Sequence, residues 1–199
     1  MSEETNITMP DESINILLFL ANGFEDLEAI AIRDVFSWTQ YRKNIKKAFV
    51  STTGFHPAIK SRFGLKVEPD ILFSEVNPKD YQALVLPGGF YSYGFDEAFD
   101  EKIHKLASDI YYSGGYIATM CVGILPIADA GLLKGIRATT YPYSHNHDNI
   151  GRLKNNGAIV VNGPVVVDDR IISCSGPGSA VDVAYLLMEN LLGSKATHE

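Results

Sequence analysis

The chain has 199 residues and a formal net charge of −7 at pH 7; 46% of its residues are hydrophobic and 21% are charged. This apolar fraction excludes an intrinsically disordered chain, and the sequence has no run of about 18 apolar residues of the kind that predicts a membrane span. The negative charge and the lack of a lysine or arginine block argue against nucleic acid as a partner, because binding phosphates needs a clustered basic surface.

The length is typical of one domain with one buried core. We expect residues 1–13, which are polar and acidic, to form a flexible tail and residues 14–193 to form a single domain, because no linker, repeat or low-complexity tract interrupts them. The N-terminus lacks the basic and apolar segments of a secretory signal, so a cytoplasmic location is expected. With only Cys121 and Cys174, a disulfide framework does not organise the fold.

The first half of the chain alternates apolar strands with amphipathic helices. Residues 14–20 form a nearly continuous apolar run, which is typical of a strand covered on both faces of a parallel sheet. Helical spacing begins at Glu25, and its expected inward face consists of Leu27, Ile30, Ala31, Val35 and Trp38. The further elements predicted in this half are strands over 47–51 and 82–86, a small hairpin over 58–68 and a helix around 103–111.

The second half continues the same alternation. Its predicted strands cover 116–120, 137–140, 159–161, 165–167 and 171–173, and its predicted helices cover 123–133 and 178–192. Residues 144–155 are predicted to form a polar helix or loop, and 168–170 a turn. Strands that alternate with helices predict an α/β fold with a doubly wound, mostly parallel sheet flanked by helices.

The segment from Tyr116 to Gly123 is the most informative, because a predicted strand runs into Cys121 and then into a helix. A nucleophile on such a sharp turn, called a nucleophile elbow, is exposed at the carboxyl edge of the sheet, and a glycine two residues later allows close backbone packing. A helix N-terminus stabilises a thiolate, so we expect the pKa of Cys121 to be lowered. The alternative is that Cys121 is a small buried apolar residue without chemistry.

Two other predicted strands end near the same edge, because the carboxyl ends of neighbouring parallel strands meet there. The first strand leads into the helix that carries Glu25, Asp26 and Glu28. The strand over 82–86 stops at Pro87-Gly88-Gly89, whose backbone N–H groups are able to bind an oxyanion. The sequence therefore predicts that an acid, a thiol and an amide cradle meet at one site.

Five segments together resemble the ThiJ/PfpI family of the class I glutamine amidotransferase-like superfamily. They are Gly23-Phe-Glu-Asp-Leu-Glu28, Leu86-Pro-Gly-Gly89, Ala118-Thr-Met-Cys-Val-Gly123, Ala138-Thr-Thr-Tyr-Pro142 and Ser175-Gly-Pro-Gly178. The resemblance covers roughly residues 14–192, and the segments are specific as a set. It implies a flavodoxin-like fold, assembly as a homodimer, and an activity of the glyoxalase III or protein deglycase type.

The resemblance also implies roles for particular residues. Cys121 matches the family's nucleophile and Glu28 matches the acid beside it, whose pKa would be raised by poor solvation so that it stays protonated near neutral pH. The backbone N–H groups of Gly89 and Val122 match the family's oxyanion hole, and Gly88 is an accessory candidate. The alternative for Glu28 is an ordinary solvated helix residue, but its place beside Leu27 on the expected inward face favours the functional role.

The sequence departs from the family pattern at two positions. Some branches have a histidine directly after the cysteine, where this chain has Val122, and the deglycase branch has a histidine at the position of Tyr141. A Cys-His triad of the protease type is therefore doubtful. Tyr141 is a candidate hydrogen-bonding residue, and His145 or His147 is a candidate substitute base, with a solvated polar loop as the alternative for both histidines.

No cofactor or metal is predicted. His145, His147 and Asp148 lack the further ligands that a zinc site needs, and the glycine motifs for dinucleotides and nucleoside triphosphates are missing. Cys174 is expected to be buried and inert rather than a resolving thiol. The alternative is a disulfide between Cys174 and Cys121, which can be tested if the strand of Cys174 lies near the site.

Two functional hypotheses follow. In the first, Cys121 attacks a reactive carbonyl such as an α-oxoaldehyde while Glu28 moves the proton, as in a glyoxalase III or deglycase or a related hydrolase or hydratase. In the second, the protein is a non-catalytic redox or stress-responsive protein that senses oxidation at Cys121. The expected partners are a small carbonyl substrate and a second copy of the chain, with no nucleic acid and no membrane.

Overall fold

The computed structural model describes residues 13–198, so the predicted tail over 1–13 lies outside the described residues except for its last position. The strands are β1 (Ile14–Phe19), β2 (Ala48–Gly54), β3 (Ile59–Lys60), β4 (Lys66–Val67), β5 (Ile71–Leu72), β6 (Ala83–Leu86), β7 (Tyr116–Met120), β8 (Arg137–Ala138), β9 (Ile159–Val160), β10 (Val165–Asp168) and β11 (Ile171–Cys174). The helices are α1 (Asp26–Ser37), α2 (Glu101–Tyr112), α3 (Leu125–Asp129), α4 (Asn149–Asn155), α5 (Ala180–Leu192) and α6 (Ser194–His198).

A seven-stranded sheet in the order β10-β11-β7-β6-β1-β2-β5 forms the centre of the fold. Its neighbouring strands pair in parallel except for β10 and β11, which form an antiparallel hairpin at one edge. The β3-β4 hairpin and the short parallel pair β8-β9 lie outside this sheet. The α/β fold with a doubly wound, mostly parallel sheet is confirmed, while the extent of a single domain over 14–193 stays a prediction.

The core lies on both faces of the sheet, which explains the continuous apolar run in the first strand. Ile16 and Leu18 of β1 are buried against the layer that contains α1 and α5. Leu17 and Phe19 are buried against the opposite layer, which contains α2 and α3. Because each strand side chain alternates between the two faces and both faces are covered, a polar residue at either position would be buried.

The expected inward face of α1 is only partly correct, because Ala31 is buried and Val35 packs against the core while the other three residues are exposed. Leu27 and Ile30 are each 49% exposed and Trp38 is 54% exposed. The residues of the helix that are buried are Glu28, Ala29, Ala31, Ile32 and Phe36. The helix has apolar residues on two adjacent faces, and the small side chains of one face allow it to pack closely against α5 and the sheet.

Several other elements differ in extent from their predictions. The strand predicted over 137–140 is only two residues long, and the helix predicted over 123–133 is a 3₁₀ turn at Cys121–Ile124 followed by the short α3. The polar segment over 144–155 becomes a loop followed by α4. The strand β5 was not predicted, because two residues are too few to show a pattern.

Candidate active site

Cys121 lies directly after β7, on the turn that leads into a 3₁₀ turn and α3. Its φ angle is 54°, a left-handed backbone conformation that residues other than glycine adopt at a cost of about 1–3 kcal/mol. A Cβ atom added at Gly123 would lie 2.3 Å from the carbonyl oxygen of Leu86, so only glycine allows the turn to pack this closely on β6. The predicted nucleophile elbow is therefore present in the backbone.

Glu28 is fully buried on α1 and points at the end of β6. Its Oε2 atom accepts a hydrogen bond of 2.6 Å from the backbone N–H of Gly88, while its Oε1 atom has no partner among the described residues. Burial raises the pKa of Glu28 to about 8, with the Gly88 N–H acting in the opposite direction. The carboxyl group is thus mostly protonated at neutral pH, which agrees with the raised pKa expected from the sequence.

Gly88 allows the acid and the thiol to approach each other. A Cβ atom at this position would lie 2.6 Å from the Cβ of Cys121 and 3.1 Å from Oε2 of Glu28. The accessory candidate Gly88 thus has a defined place, but its N–H already binds Glu28 and is not directed at a substrate oxyanion. The space between the Cβ of Cys121 and the carboxyl of Glu28 is therefore too narrow for any residue with a side chain at position 88.

The pKa of Cys121 is raised, not lowered as the sequence led us to expect. Burial of the thiol is the largest cause, and the carboxylate of Glu28 adds to it when that group is ionised. The backbone N–H of Val122 has the opposite effect, because it donates to the sulfur. The helix that follows is too short to outweigh burial, since Cys121–Ile124 form a 3₁₀ turn and α3 has five residues.

Cys121 opens into a cavity of about 430 Å³. Both residues expected to form the oxyanion hole, Gly89 and Val122, line this cavity, as does Tyr141. The remaining lining residues are Glu25, Phe63, Phe90, Tyr91, Ser92, Ser144, Asn146, His147, Asn149 and Pro177. The walls are therefore largely aromatic and polar, and the thiol lies beside the amides expected to hold an oxyanion.

The accessory candidate His145 does not line the cavity, and the histidine that does so is His147. The His147 ring lies against the ring of Tyr91, with centroids 4.4 Å apart. Both histidines are exposed, and His145 lies on the preceding part of the loop. In an irregular loop no fixed period relates side-chain direction to sequence position, so the local sequence gives no signal for which of the two histidines faces inward.

Some lining residues were not singled out from the sequence. Phe63 arrives from the β3-β4 hairpin, and Asn149 is buried at the start of α4, where its side-chain amide donates 2.9 Å to the backbone oxygen of Tyr141. Pro177 belongs to the Ser-Gly-Pro-Gly segment after β11, and this motif could have indicated that Pro177 lies at the site. Phe63 and Asn149 carried no such signal, because their approach to Cys121 depends on long-range packing.

Cys174 is buried at the end of β11, as expected. Its thiol donates to the backbone oxygen of Gly176 over 3.3 Å, and burial raises its pKa to about 12. Within residues 13–198, no group of three or more His, Cys, Asp or Glu side chains is arranged to hold a metal ion. No helix in the same part of the chain is long and apolar enough to span a membrane.

Comparison with known proteins agrees with this geometry. The sequence model of the DJ-1/PfpI family matches residues 14–190. The protein dj-1beta of Drosophila melanogaster is 30% identical over 191 residues, which cover 94% of each chain. The deglycase PfpI of Pyrococcus furiosus is 31% identical over 165 residues, covering 83% of this chain and 92% of that protein. The crystal structure of Drosophila DJ-1beta superposes with a TM-score of 0.80 at 26% identity, over 94% of this chain and 95% of that one.

Proposed function

The chain belongs to the DJ-1/PfpI family, and from that premise we propose that it is a cysteine-dependent enzyme that acts on small reactive carbonyl compounds. The observation that carries the proposal is the pairing of Cys121, on a strained turn beside a cavity, with the buried carboxyl of Glu28. Relatives named as deglycases support a carbonyl substrate. The substrate class proposed is an α-oxoaldehyde, which the enzyme converts to a hydroxy acid.

The first step is addition of the Cys121 thiol to the aldehyde carbon. A carbon–sulfur bond forms, the carbonyl π electrons move to oxygen, and this oxygen lies against the N–H groups of Gly89 and Val122. The carboxylate form of Glu28 takes the thiol proton and returns it to the oxygen, which gives a hemithioacetal. Because the pKa of Glu28 is about 8, the fraction able to take this proton increases as the pH rises toward 8.

The second step needs a base. A proton must leave the carbon bonded to sulfur and return to the neighbouring carbon, and the hydroxyl proton must pass to the neighbouring carbonyl oxygen, so that the hemithioacetal becomes the thioester of a hydroxy acid. We assign this base to His147, because it lines the cavity and its ring is held against Tyr91. Histidine is the side chain that most often acts as a general base in enzymes. Water then hydrolyses the thioester, which releases the acid and restores the thiol of Cys121.

The test is the loss of methylglyoxal with formation of lactate by the purified protein, followed alongside Cys121→Ser and Glu28→Gln variants. We expect turnover by the wild-type protein, complete loss in Cys121→Ser and a loss of at least 10²-fold in Glu28→Gln. Turnover that persists in Cys121→Ser would contradict the nucleophile assignment. A wild-type protein without turnover would contradict the proposed substrate class.

The two histidines of the loop provide a matched comparison for the base. We expect His147→Gln to lower kcat by about 10²-fold or more, and His145→Gln to leave it unchanged because its side chain does not line the cavity. Thiol alkylation of Cys121 should continue in both variants, since the addition step does not need the histidine. Equal losses in the two variants would mean that the loop, rather than the His147 imidazole, is responsible.

A non-catalytic redox protein is the second candidate function. The residues that favour it are Val122 and Tyr141, which stand where family branches carry histidines. A reactive thiol without those bases suits oxidation better than turnover. If peroxide readily oxidises Cys121 while methylglyoxal is not consumed, this candidate replaces the enzyme.

A further inference from the structure

The two cysteines of the chain lie on neighbouring strands of the central sheet. In the parallel pairing of β7 with β11, Cys174 is the register partner of Met120, the residue directly before Cys121. Met120 is still extended, with φ −130° and ψ 146°, so the Cα of Cys121 continues the line of β7. Strand spacing and rise then separate the Cα atoms of Cys121 and Cys174 by about 6 Å, within the range that disulfides span.

The strained conformation of Cys121 also changes the direction of its side chain. A residue that followed Met120 in a regular strand would point to the face opposite Cys174. The φ of 54°, in place of about −120° for a parallel strand, rotates the Cα–Cβ bond by about 170° about the N–Cα bond. The rotation leaves the Cβ of Cys121 near the carboxyl of Glu28, since an added Cβ at Gly88 would lie 2.6 Å from the first and 3.1 Å from Oε2 of the second, while the Cys121 side chain also contacts the core cluster that contains Leu86.

Local interactions connect the three groups. The backbone N–H of Cys121 lowers the pKa of Cys174, and the Cys174 thiol raises the pKa of Cys121. Glu28 acts on both sulfurs, and its buried Oε1 atom has no hydrogen-bond partner in the described part of the chain. A protonated carboxyl with one unpartnered oxygen thus lies within electrostatic range of both thiols.

We propose that Cys174 is a resolving thiol, which forms an intramolecular disulfide with Cys121 after a peroxide has oxidised Cys121 to a sulfenic acid. In the first step the Cys121 sulfur takes one oxygen from the peroxide, which is reduced to water or an alcohol. In the second step the Cys174 sulfur attacks the Cys121 sulfur, a sulfur–sulfur bond forms and the sulfur–oxygen bond breaks. Glu28 gives its proton to the departing hydroxyl, which leaves as water, and takes the proton of the Cys174 thiol.

This role differs from the inert Cys174 expected from the sequence, and it does not depend on carbonyl turnover. A sulfenic acid without a resolving partner proceeds to sulfinic acid, which ordinary thiol reductants do not reverse. A disulfide with Cys174 stops the oxidation at a stage that thiols do reverse. The site would then lose its nucleophile under peroxide and regain it under reducing conditions.

The chain offers a clean test, because it contains only two cysteines and trypsin places them on separate peptides, 106–134 and 171–195. The wild-type protein is treated with hydrogen peroxide, alkylated under denaturing conditions and digested without reductant. We expect the two peptides to appear linked and two hydrogens lighter than their sum, and dithiothreitol to restore alkylation of Cys121. Cys121 as sulfinic acid beside unmodified Cys174 would overturn the proposal, and so would a link between two copies of peptide 106–134.

Two variants give the proposal a second readout. In Cys174→Ser, which keeps a hydroxyl to donate to the Gly176 oxygen, we expect the linked peptides to disappear and peroxide to cause a loss of Cys121 alkylation that dithiothreitol does not restore. In Cys121→Ser, Cys174 should remain unmodified. Recovery in Cys174→Ser equal to that of the wild type would exclude a resolving role, whatever the enzyme does with methylglyoxal.

Discussion

Burial of the Glu28 carboxyl should make the stability of the protein depend on pH, whether or not a substrate is present. The folded protein raises the pKa of Glu28 to about 8 from its ordinary value of 4.5, chiefly by burial. The protonated carboxyl therefore contributes stability that is complete below about pH 4.5 and is lost as the pH rises through about 8. Replacing the residue by glutamine removes the titration but keeps an oxygen able to accept from the Gly88 N–H.

The expected size follows from the linkage between protonation and folding. Between pH 4.5 and 8 the free energy of unfolding of the wild type should fall, relative to Glu28→Gln, by about 1.4 kcal/mol per pH unit. The sum over this interval is about 5 kcal/mol, a large part of the stability of an ordinary domain. The stability of Glu28→Gln relative to the wild type should therefore increase as the pH rises, although the replaced carboxyl belongs to the proposed active site.

The assay is urea unfolding followed by far-UV circular dichroism at pH 5, 6, 7 and 8 for the wild type and Glu28→Gln. Glu189→Gln, the same chemical change at an exposed position of α5, serves as the control for loss of one surface carboxylate. The difference between Glu28→Gln and the wild type should change by about 4 kcal/mol from pH 5 to pH 8. If this difference stays constant with pH, Glu28 is ionised in the folded protein and the argument from burial is wrong.

Three further predictions concern the site and the surface. Gly88→Ala should lower stability by about 1–3 kcal/mol in urea unfolding, because its Cβ would overlap Cys121, whereas Gly178→Ala, whose Cβ meets nothing within 4 Å, should be neutral. The pH profile of kcat/KM for methylglyoxal should rise with pH and level off near 8, following ionisation of Glu28. The homodimer implied by family resemblance should appear in light scattering of the wild type, and Leu27→Glu, on the exposed apolar face of α1, should dissociate it.

Each of these has an outcome that contradicts it. Equal destabilisation by the two alanine substitutions would mean that the space around Gly88 is not tight. A profile that falls between pH 6 and 8 would mean that the protonated carboxyl, rather than the carboxylate, is the active form. A monomeric wild type would refute the homodimer, and a dimer that survives Leu27→Glu would place its interface elsewhere. The cytoplasmic location stays a prediction.

Most of the sheet could be predicted from the sequence, because its signals are local. The apolar run of β1 and the strand before Pro87 show burial on both faces without any knowledge of neighbours. The β3-β4 hairpin follows from two short strand patterns around Phe63 and Gly64. The signal for the sharp turn at Cys121 was also local, since the strand, Cys121 and Gly123 follow one another within eight residues.

The face of α1 could not be predicted, because the helix has apolar side chains on two adjacent faces. Periodicity favoured the face with Leu27 and Ile30, yet the fold buries the face with Glu28 and Ile32. The predicted lowering of the pKa of Cys121 was wrong for a similar reason. A helix N-terminus is visible in the sequence, whereas the burial that outweighs it depends on elements distant along the chain.

The sequence by itself indicated the family and most of the order of strands and helices along the chain, and it singled out Cys121 and Glu28 as the candidate pair. Only the tertiary structure decided that His147 rather than His145 lines the cavity, and that Cys174 pairs with Met120, the residue before Cys121. The physical reason is the range of the interactions. Strand and turn preferences act within a few residues, while burial, electrostatics and the distance between two thiols depend on which strands become neighbours in the sheet.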